Sequence, residues 1–206
     1  MNGILHMIGA ALAIPALLLL VFFSRGSALK IISFAIYGLS LFLLYLFSTL
    51  HHCLPRAAGG KGQVFRKLDH LAIYALIAGT YTPFCLLVMK GLGGWIIFTV
   101  IWLIAIAAIS VQAVFINLPR SLTTTGYILM GWLVVLNLPA LLKNLPLGGL
   151  LWLLAGGIIY SVGGVIYALK KPRVFSWLGF HELWHFFVLG GSACHFIALF
   201  FYVALR

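Results

Sequence analysis

Seven long apolar stretches constrain what this chain can fold into more than any other feature. Each is about 20 residues long, the length that an α-helix needs to cross the hydrocarbon core of a bilayer. Hydrophobic residues make up 64% of the chain and charged residues only 7%, against roughly a quarter charged in soluble domains. The stretches also far exceed the length of a β-barrel strand. The sequence therefore predicts an all-α integral membrane protein, a seven-transmembrane helix bundle.

Short connections separate the predicted spans. "SRGSALK", "KGLGG", "NLPRS" and "KNLPLGG" carry the Gly, Pro and Asn typical of turns. Longer loops follow the second span, "CLPRAAGGKGQVFRK", and the sixth, "KKPRVFSW". All 206 residues are therefore expected to form one transmembrane domain, 1–206. Its spans are predicted at about 3–23, 31–52, 68–89, 95–116, 122–142, 148–169 and 179–205.

Proline and glycine add detail within the spans. Pro83 is expected to kink the third span. Small residues recur in the last two spans, where they would let helix backbones approach closely in lipid. They stand at Gly156-Gly157, Gly163-Gly164 and Gly190-Gly191-Ser192.

The basic residues predict the orientation of the bundle. The net charge is +11, from 13 Lys and Arg against two acids, and these residues stand between the apolar stretches, where lipid headgroups lie. Their placement excludes a nucleic-acid interface and favours a cytoplasmic N-terminus and an external C-terminus, because cytoplasmic loops are enriched in Lys and Arg. The N-terminal side carries Arg56, Lys61, Arg66, Lys67, Arg120, Lys170, Lys171 and Arg173, and the other side Arg25, Lys30, Lys90, Lys143 and Arg206.

The two acids, Asp69 and Glu182, stand beside histidines at the ends of spans. "STLHHCLP" ends the second span, "RKLDHLAIY" opens the third and "FHELWH" opens the seventh. The topology places these three span ends on the same side of the membrane. His52, Asp69, His181 and His185 should therefore share one membrane level. Ionisable residues inside a membrane are costly and usually mark a functional site.

The spacing of these residues fits a metal ion. His181 and His185 are i and i+4 on one helix, so both imidazoles can face one point, and Ser48 and His52 have the same relation. An isolated HxxxH pair more often packs and forms hydrogen bonds, but His52 and Asp69 at the same level favour a metal. Three histidines and a water form the open tetrahedral site typical of catalytic zinc. Zinc would make the water ionise near neutral pH, and Asp69 could accept its proton.

The other histidines are expected to lie outside the ligand set. His51 points about 100° away from His52 on the same helix. His70 directly follows Asp69, so it points away from Asp69 by about the same angle. His195 lies roughly 15 Å further along the span than His185, where a polar contact between helices is expected. His6 lies near the start of the first span, within reach of a supporting position. The cysteines, Cys53, Cys85 and Cys194, indicate no disulfide framework.

These motifs resemble those of a known family. Ser-x-x-x-His on the second span, an aspartate 17 residues after the histidine, and His-x-x-x-His on the seventh span are similar to the hemolysin III branch of the progestin and adipoQ receptor family, which itself resembles alkaline ceramidases. The resemblance implies zinc bound by His52, His181 and His185, with a water between the metal and Asp69 and with Ser48 beside them. It also implies a cytoplasmic N-terminus. The glutamate of the family's N-terminal motif is absent here, so the resemblance assigns no supporting role to His6.

The first functional hypothesis is a zinc-dependent intramembrane hydrolase of a lipid amide or ester, acting in membrane homeostasis. Asp69 would be its general base and Ser48 would orient the water or stabilise the oxyanion. Membrane lipids would be its substrate or ligand, and the bacterial inner membrane its location. Turnover and oligomeric state are left open.

Three alternatives remain at this point. The zinc could be structural, in a non-enzymatic membrane-regulating or receptor-like protein. HELWH matches the HExxH signature of zinc proteases, which would make Glu182 the base of an intramembrane metalloprotease. A pore-forming hemolysin is suggested only by the family's name, because the spans offer few polar residues to line a channel.

Overall fold

The computed structural model describes residues 2–54, 61–115, 118–172 and 178–206, and gives only the backbone of residues 2, 61 and 62. Arg56 and Arg173, which contribute to the predicted orientation, lie outside the described residues, as does the predicted end of the fourth span at 116.

Helices account for nearly all of the described chain, and no strand occurs in that part. Seven helical segments are long and apolar enough to cross a membrane, which confirms the predicted fold class. The elements are α1 (Asn2–Phe22), α2 (Ala28–Cys53), α3 (Lys61–Pro83) with a π-helical turn (Phe84–Met89), α4 (Gly91–Val114), α5 (Arg120–Trp132), a 3₁₀ turn (Leu133–Asn137), α6 (Leu138–Asn144), α7 (Leu147–Leu169), and α8 (Phe180–Leu199) with a second π-helical turn (Phe200–Ala204).

Large apolar side chains cover the outside of the bundle. Leu12, Leu103 and Leu129, from three different helices, are each more than half exposed. A soluble monomer rarely exposes apolar patches larger than a few hundred Å², whereas lipid tails solvate such a surface well. The chain is therefore a multi-pass integral membrane protein.

The third helix is longer than the sequence predicts. It begins at Lys61 instead of 68, because its first turns carry polar side chains such as Arg66, and hydropathy detects only the apolar part of a helix. At its other end the sequence predicts a kink at Pro83. In the structure, α3 ends at Pro83 and the chain continues directly as a π-helical turn. Proline cannot donate the backbone hydrogen bond that an α-helix needs at that point.

The fifth span is interrupted, whereas the sequence predicts one continuous helix over 122–142. A 3₁₀ turn separates α5 from α6. The hydroxyl group of Tyr81 accepts a hydrogen bond from the Val134 N–H (2.7 Å) and lies 2.9 Å and 2.8 Å from the carbonyl oxygens of Met130 and Gly131. Irregular backbone is tolerated at membrane depth only where the protein satisfies its polar groups, and this side chain does so here.

Three helices form the centre of the bundle. In the most apolar part of the second, third and seventh spans, 50%, 61% and 39% of the residues are buried. The corresponding share in the other four spans is 17–22%. α2 packs against α1 and α3, and α8 packs against α7 and α1. The C-terminal end of α2 and the N-terminal ends of α1, α3 and α8 meet at one end of the bundle, which we call the site end.

Glycines allow the close approach of α7 and α8, as the sequence predicts. A Cβ atom added at Gly163 would lie 2.5 Å from the Cβ atom of Phe187, and one added at Gly191 would lie 2.7 Å from the ring of Tyr160. Real Cβ atoms do not come so close to their neighbours. This packing fixes the position of α8, and therefore of its first turns, in the bundle.

Candidate metal centre

Three histidines converge at the site end. His181 lies in the first turn of α8, His185 one turn later, and His52 in the last turn of α2. The Nε2 atom of His181 is 3.3 Å from Nε2 of His52 and 3.2 Å from Nε2 of His185. One ring nitrogen from each residue lies within 4.8 Å of the other two. The predicted ligand set is thus brought together from residues 129 positions apart in sequence.

The cluster fits a metal ion by its spacing. Two nitrogens bound to tetrahedral zinc at 2.0–2.1 Å are separated by about 3.3 Å, which agrees with the two measured Nε2–Nε2 distances. Its chemistry fits as well. Neutral imidazoles each carry one proton, so three converging ring nitrogens cannot all be paired by hydrogen bonds among themselves, whereas a cation accepts all three lone pairs. No metal identity follows from the geometry alone.

Asp69 and Ser48 lie beside the histidines. A carboxylate oxygen of Asp69 and ring nitrogens of His51 and His52 form a second group within 4.8 Å of one another. Ser48 lies one turn before His52 on α2 and is fully buried. Its hydroxyl lies near the Asp69 carboxyl group, and Ser48 Oγ makes no hydrogen bond of standard geometry among the described residues. A buried hydroxyl of this kind calls for an explanation, such as a bound water.

His6 supports the cluster from α1, although the sequence assigned it no firm role. It is 2% exposed, and its Nε2 atom lies 2.6 Å from Nδ1 of His185. Its ring also contacts the ring of Tyr45, with centroids 5.0 Å apart. The sequence could not show this contact, because it depends on which face α1 turns toward α8.

Glu182 has a structural task at the start of α8. Its Oε2 atom accepts a hydrogen bond from the Gly179 N–H at 3.0 Å, which is the only half of a capping box that a glycine N-cap allows. Such a carboxylate satisfies a backbone donor that the helix leaves unpaired. The sequence predicts that Glu182 can point away from the metal, and this contact agrees with that prediction.

The remaining histidines make other contacts. Nδ1 of His70 lies 3.3 Å from Nε2 of Gln112, and the His70 carbonyl accepts a hydrogen bond from the Tyr127 hydroxyl. His195 contacts the Leu153 carbonyl at 3.3 Å, the polar contact between helices that the sequence predicts. His51, predicted to lie outside the ligand set, stands beside Asp69 in the second group of possible ligand atoms.

Two polar residues near the site were not predicted from the sequence to belong there. Gln112 is 3% exposed and lies in the largely apolar α4. An amide inside a membrane span is a signal that could have identified it. Arg120 contributed only to the charge count, yet its guanidinium group lies 4.4 Å from the centroid of the Tyr167 ring and 5.4 Å from that of Phe180. No sequence pattern indicates this stacking.

A cavity of about 780 Å³ opens beside the cluster. Ser48, Asp69, His181 and His185 line it at the site end. From there it continues between apolar side chains to the far half of the bundle, near the junction of α6 and α7. The apolar lining includes Leu76, Ile77, Ile128, Leu141, Leu150 and Leu153. The polar group of residues thus stands at one end of a largely apolar internal space.

Comparison with known proteins gives a consistent result over nearly the whole chain. Residues 1–196 match the family model described as haemolysin-III related. The chain is 45% identical to Hemolysin-3 of Bacillus cereus, over 98% of this chain and 90% of that protein. It is 42% identical to the Hemolysin-3 homolog of Bacillus subtilis (strain 168), over 98% and 92%. A more distant relative, the monocyte to macrophage differentiation factor of Homo sapiens, is 27% identical over 82% of this chain and 69% of that protein.

Proposed function

This chain belongs to the haemolysin-III-related family, and we propose that it is a zinc-dependent hydrolase of an amide or ester bond in a membrane lipid, working in the bacterial inner membrane in membrane homeostasis. One observation carries the proposal. Three histidine nitrogens with the spacing of zinc ligands stand beside a carboxylate at one end of a largely apolar cavity.

His52, His181 and His185 would hold the metal through one ring nitrogen each. Zinc is preferred on the chemistry of the donors, since three imidazoles and an open fourth position are typical of catalytic zinc. When bound, the ion would polarise the substrate carbonyl and acidify a water molecule at the site.

Asp69 would serve as the general base. It stands next to His52, and Ser48 is near enough to orient its carboxylate. The carboxylate takes a proton from the attacking water as the water oxygen bonds to the carbonyl carbon. It then returns the proton to the departing amine or alcohol as the C–N or C–O bond breaks. A positioned base of this kind contributes about 10²–10⁴ to the rate.

The cavity would bind the apolar part of the substrate. Its volume of about 780 Å³ lies in the range of roughly 300–1,000 Å³ typical of small-molecule sites. Apolar walls with a polar group at one end suit a molecule whose reactive carbonyl lies at the end of a hydrocarbon chain. A lipid has this structure.

The test is lipid hydrolysis by purified protein in nanodiscs. The panel would include ceramides, other N-acyl amines, phospholipids and acylglycerols, each assayed with zinc, after chelation and after zinc is restored. We expect fatty acid release from at least one class, loss on chelation and recovery with zinc. His185→Ala, purified in parallel, controls for contaminating lipases. Failure of fully zinc-loaded wild type to hydrolyse any lipid of the panel would count against the proposal.

A structural metal is the second candidate, and the position of the cluster favours it to some degree. His52 joins α2 to α8, which holds the other two histidines. A metal there would fasten the two helices together. In this case chelation should lower the melting temperature of the bundle, while Asp69→Asn leaves every cellular function intact.

A further inference from the structure

His6 and His185 form a short side-chain contact at the site end. Their Nε2 and Nδ1 atoms are 2.6 Å apart, and each residue is 2% exposed. The two rings meet edge to face, with centroids 3.9 Å apart. The contact is made by the ring nitrogen of His185 that does not face the cluster, because Nε2 of His185 faces His181 at 3.2 Å.

The direction of this hydrogen bond decides what His185 can bind. A neutral imidazole carries one proton, on either Nδ1 or Nε2. If His185 Nδ1 donates to His6 Nε2, the Nε2 lone pair of His185 is free for a metal. If His6 donates instead, the proton of neutral His185 must sit on Nε2 and blocks binding. Histidines that bind metals almost always donate their other N–H in this manner.

We infer that His6 is a positioning residue that holds His185 in its metal-binding tautomer by accepting the Nδ1 proton. This inference rests on the proposed metal site, and it assigns the acceptor role to the first helix. His6 cannot share the same ion as a ligand, because it occupies the opposite ring nitrogen of His185.

The acceptor role carries a cost at the other ring nitrogen of His6. With Nε2 accepting, the neutral ring of His6 carries its own proton on Nδ1. That atom is buried and has no hydrogen-bond partner among the described residues. Leaving a buried donor unpaired is unfavourable, so such a group calls for an explanation. The hydrogen bond to His185 supplies that explanation. A hydrophobic residue at position 6 would avoid the cost of an unpaired donor, but it could not accept the Nδ1 proton of His185.

A second contact holds His6 in place. Tyr45 packs edge to face against its ring, and the Tyr45 hydroxyl lies 2.7 Å from Ser192 Oγ on α8. Ser192 Oγ is in turn 2.6 Å from the Tyr160 hydroxyl. Gly9, on α1, leaves the space for this arrangement, because a Cβ atom there would lie 2.7 Å from the Tyr45 ring. The orientation of His6 is thus fixed by α2 and α8 together.

The test compares zinc binding by wild type with three variants. His6→Phe keeps a planar ring but removes the acceptor. His6→Gln keeps a carbonyl that can accept from His185 Nδ1. His195→Gln is the matched control, because it alters a histidine that is ten positions beyond His185 on the same helix. Zinc affinity is measured by chelator competition, and the ligand geometry by the visible spectrum of the Co²⁺ form. Thermal stability is measured on the metal-free proteins.

We expect His6→Phe to bind zinc about 10–100-fold more weakly than wild type, the usual effect of removing such a partner. Its Co²⁺ spectrum should change, while its metal-free stability stays near that of wild type. His6→Gln should recover much of the affinity, and His195→Gln should bind as wild type does.

Two results would overturn the inference while leaving the proposed function intact. One is wild-type zinc affinity and an unchanged Co²⁺ spectrum in His6→Phe. The other is a folded His6→Gln variant whose zinc affinity is as low as that of His6→Phe. If His6→Phe does not fold, the comparison is with the loss of about 10–100-fold expected for it. In either case a hydrogen-bond acceptor at position 6 would not explain the zinc affinity of wild type. Wild type that binds no metal would overturn both proposals together.

Discussion

At the scale of single residues, the two acids of the chain have separate tasks. Glu182 completes the N-terminus of α8 by accepting the Gly179 N–H. Asp69 stands beside His52, and the Ser48 hydroxyl interacts with its carboxyl group. The motif HELWH therefore resembles a protease signature in its letters, but the carboxylate next to its histidines is used to cap a helix. In the proposed mechanism the base is Asp69, more than a hundred positions earlier.

Replacing Asp69 with asparagine tests this assignment. Asparagine is nearly isosteric but cannot accept a proton, so we expect Asp69→Asn to lower kcat for lipid hydrolysis about 10²–10⁴-fold. Zinc content should be unchanged, because the three histidines remain. Glu182→Gln is the matched control, since its amide oxygen can still accept the Gly179 N–H, and it should keep nearly full activity. The opposite pattern, an inactive Glu182→Gln and an active Asp69→Asn, would favour the metalloprotease mechanism.

The sequence was sufficient to place Ser48, His52, Asp69, His181 and His185 at one end of the bundle. Alternation of helix direction fixes which span ends share a side, and spacing by four residues fixes which side chains share a helix face. The sequence could not show that His6 reaches His185, or that Gln112 reaches His70. Those contacts depend on how each helix is rotated about its axis, which the packing between helices decides.

At the scale of elements, the broken fifth span is the main departure from prediction. Hydropathy measures the transfer of side chains into lipid and is insensitive to backbone geometry, so it cannot distinguish an α-helix from one with a 3₁₀ turn. The backbone around the turn contacts the hydroxyl of Tyr81 in α3, 49 to 53 positions earlier in the chain. Sequence patterns within span five carry no sign of such a distant partner.

Removing the hydroxyl of Tyr81 tests whether it stabilises this turn. Tyr81→Phe removes the side-chain partner of the Val134 N–H at a partly buried position. We expect the free energy of unfolding to fall by about 1–3 kcal/mol, measured by denaturation in detergent. Tyr202→Phe, in the π-helical turn after α8, removes a hydroxyl elsewhere and should have a smaller effect. Equal stability of wild type and Tyr81→Phe would show that the turn forms without this support.

At the scale of the whole molecule, the residues of the candidate site gather at one end of a largely apolar bundle. The candidate metal centre, the polar end of the cavity and the start of α1 share the site end. The proposed reaction would therefore take place near one membrane surface, while the cavity extends toward the other half of the bundle. The orientation predicted from Lys and Arg would place that surface in the cytoplasm.

Thiol labelling can test this orientation directly. Cys53 is exposed at the site end, whereas Cys85 and Cys194 are buried. In cells whose inner membrane is intact, a membrane-impermeant maleimide should fail to label Cys53 until that membrane is permeabilised. A variant with Arg206→Cys, at the opposite end of the bundle, should be labelled before permeabilisation. Labelling of Cys53 from outside would reverse the predicted topology.

The central claim is that His52, His181 and His185 bind a metal, and X-ray absorption at the zinc edge tests it most directly. Protein purified without added metal and then loaded with zinc should hold one zinc per chain. The spectrum should show three imidazole nitrogens at about 2.0–2.1 Å and one oxygen. His52→Ala should lose that signature. Wild type that takes up no stoichiometric zinc, or zinc without imidazole ligands, would contradict the account.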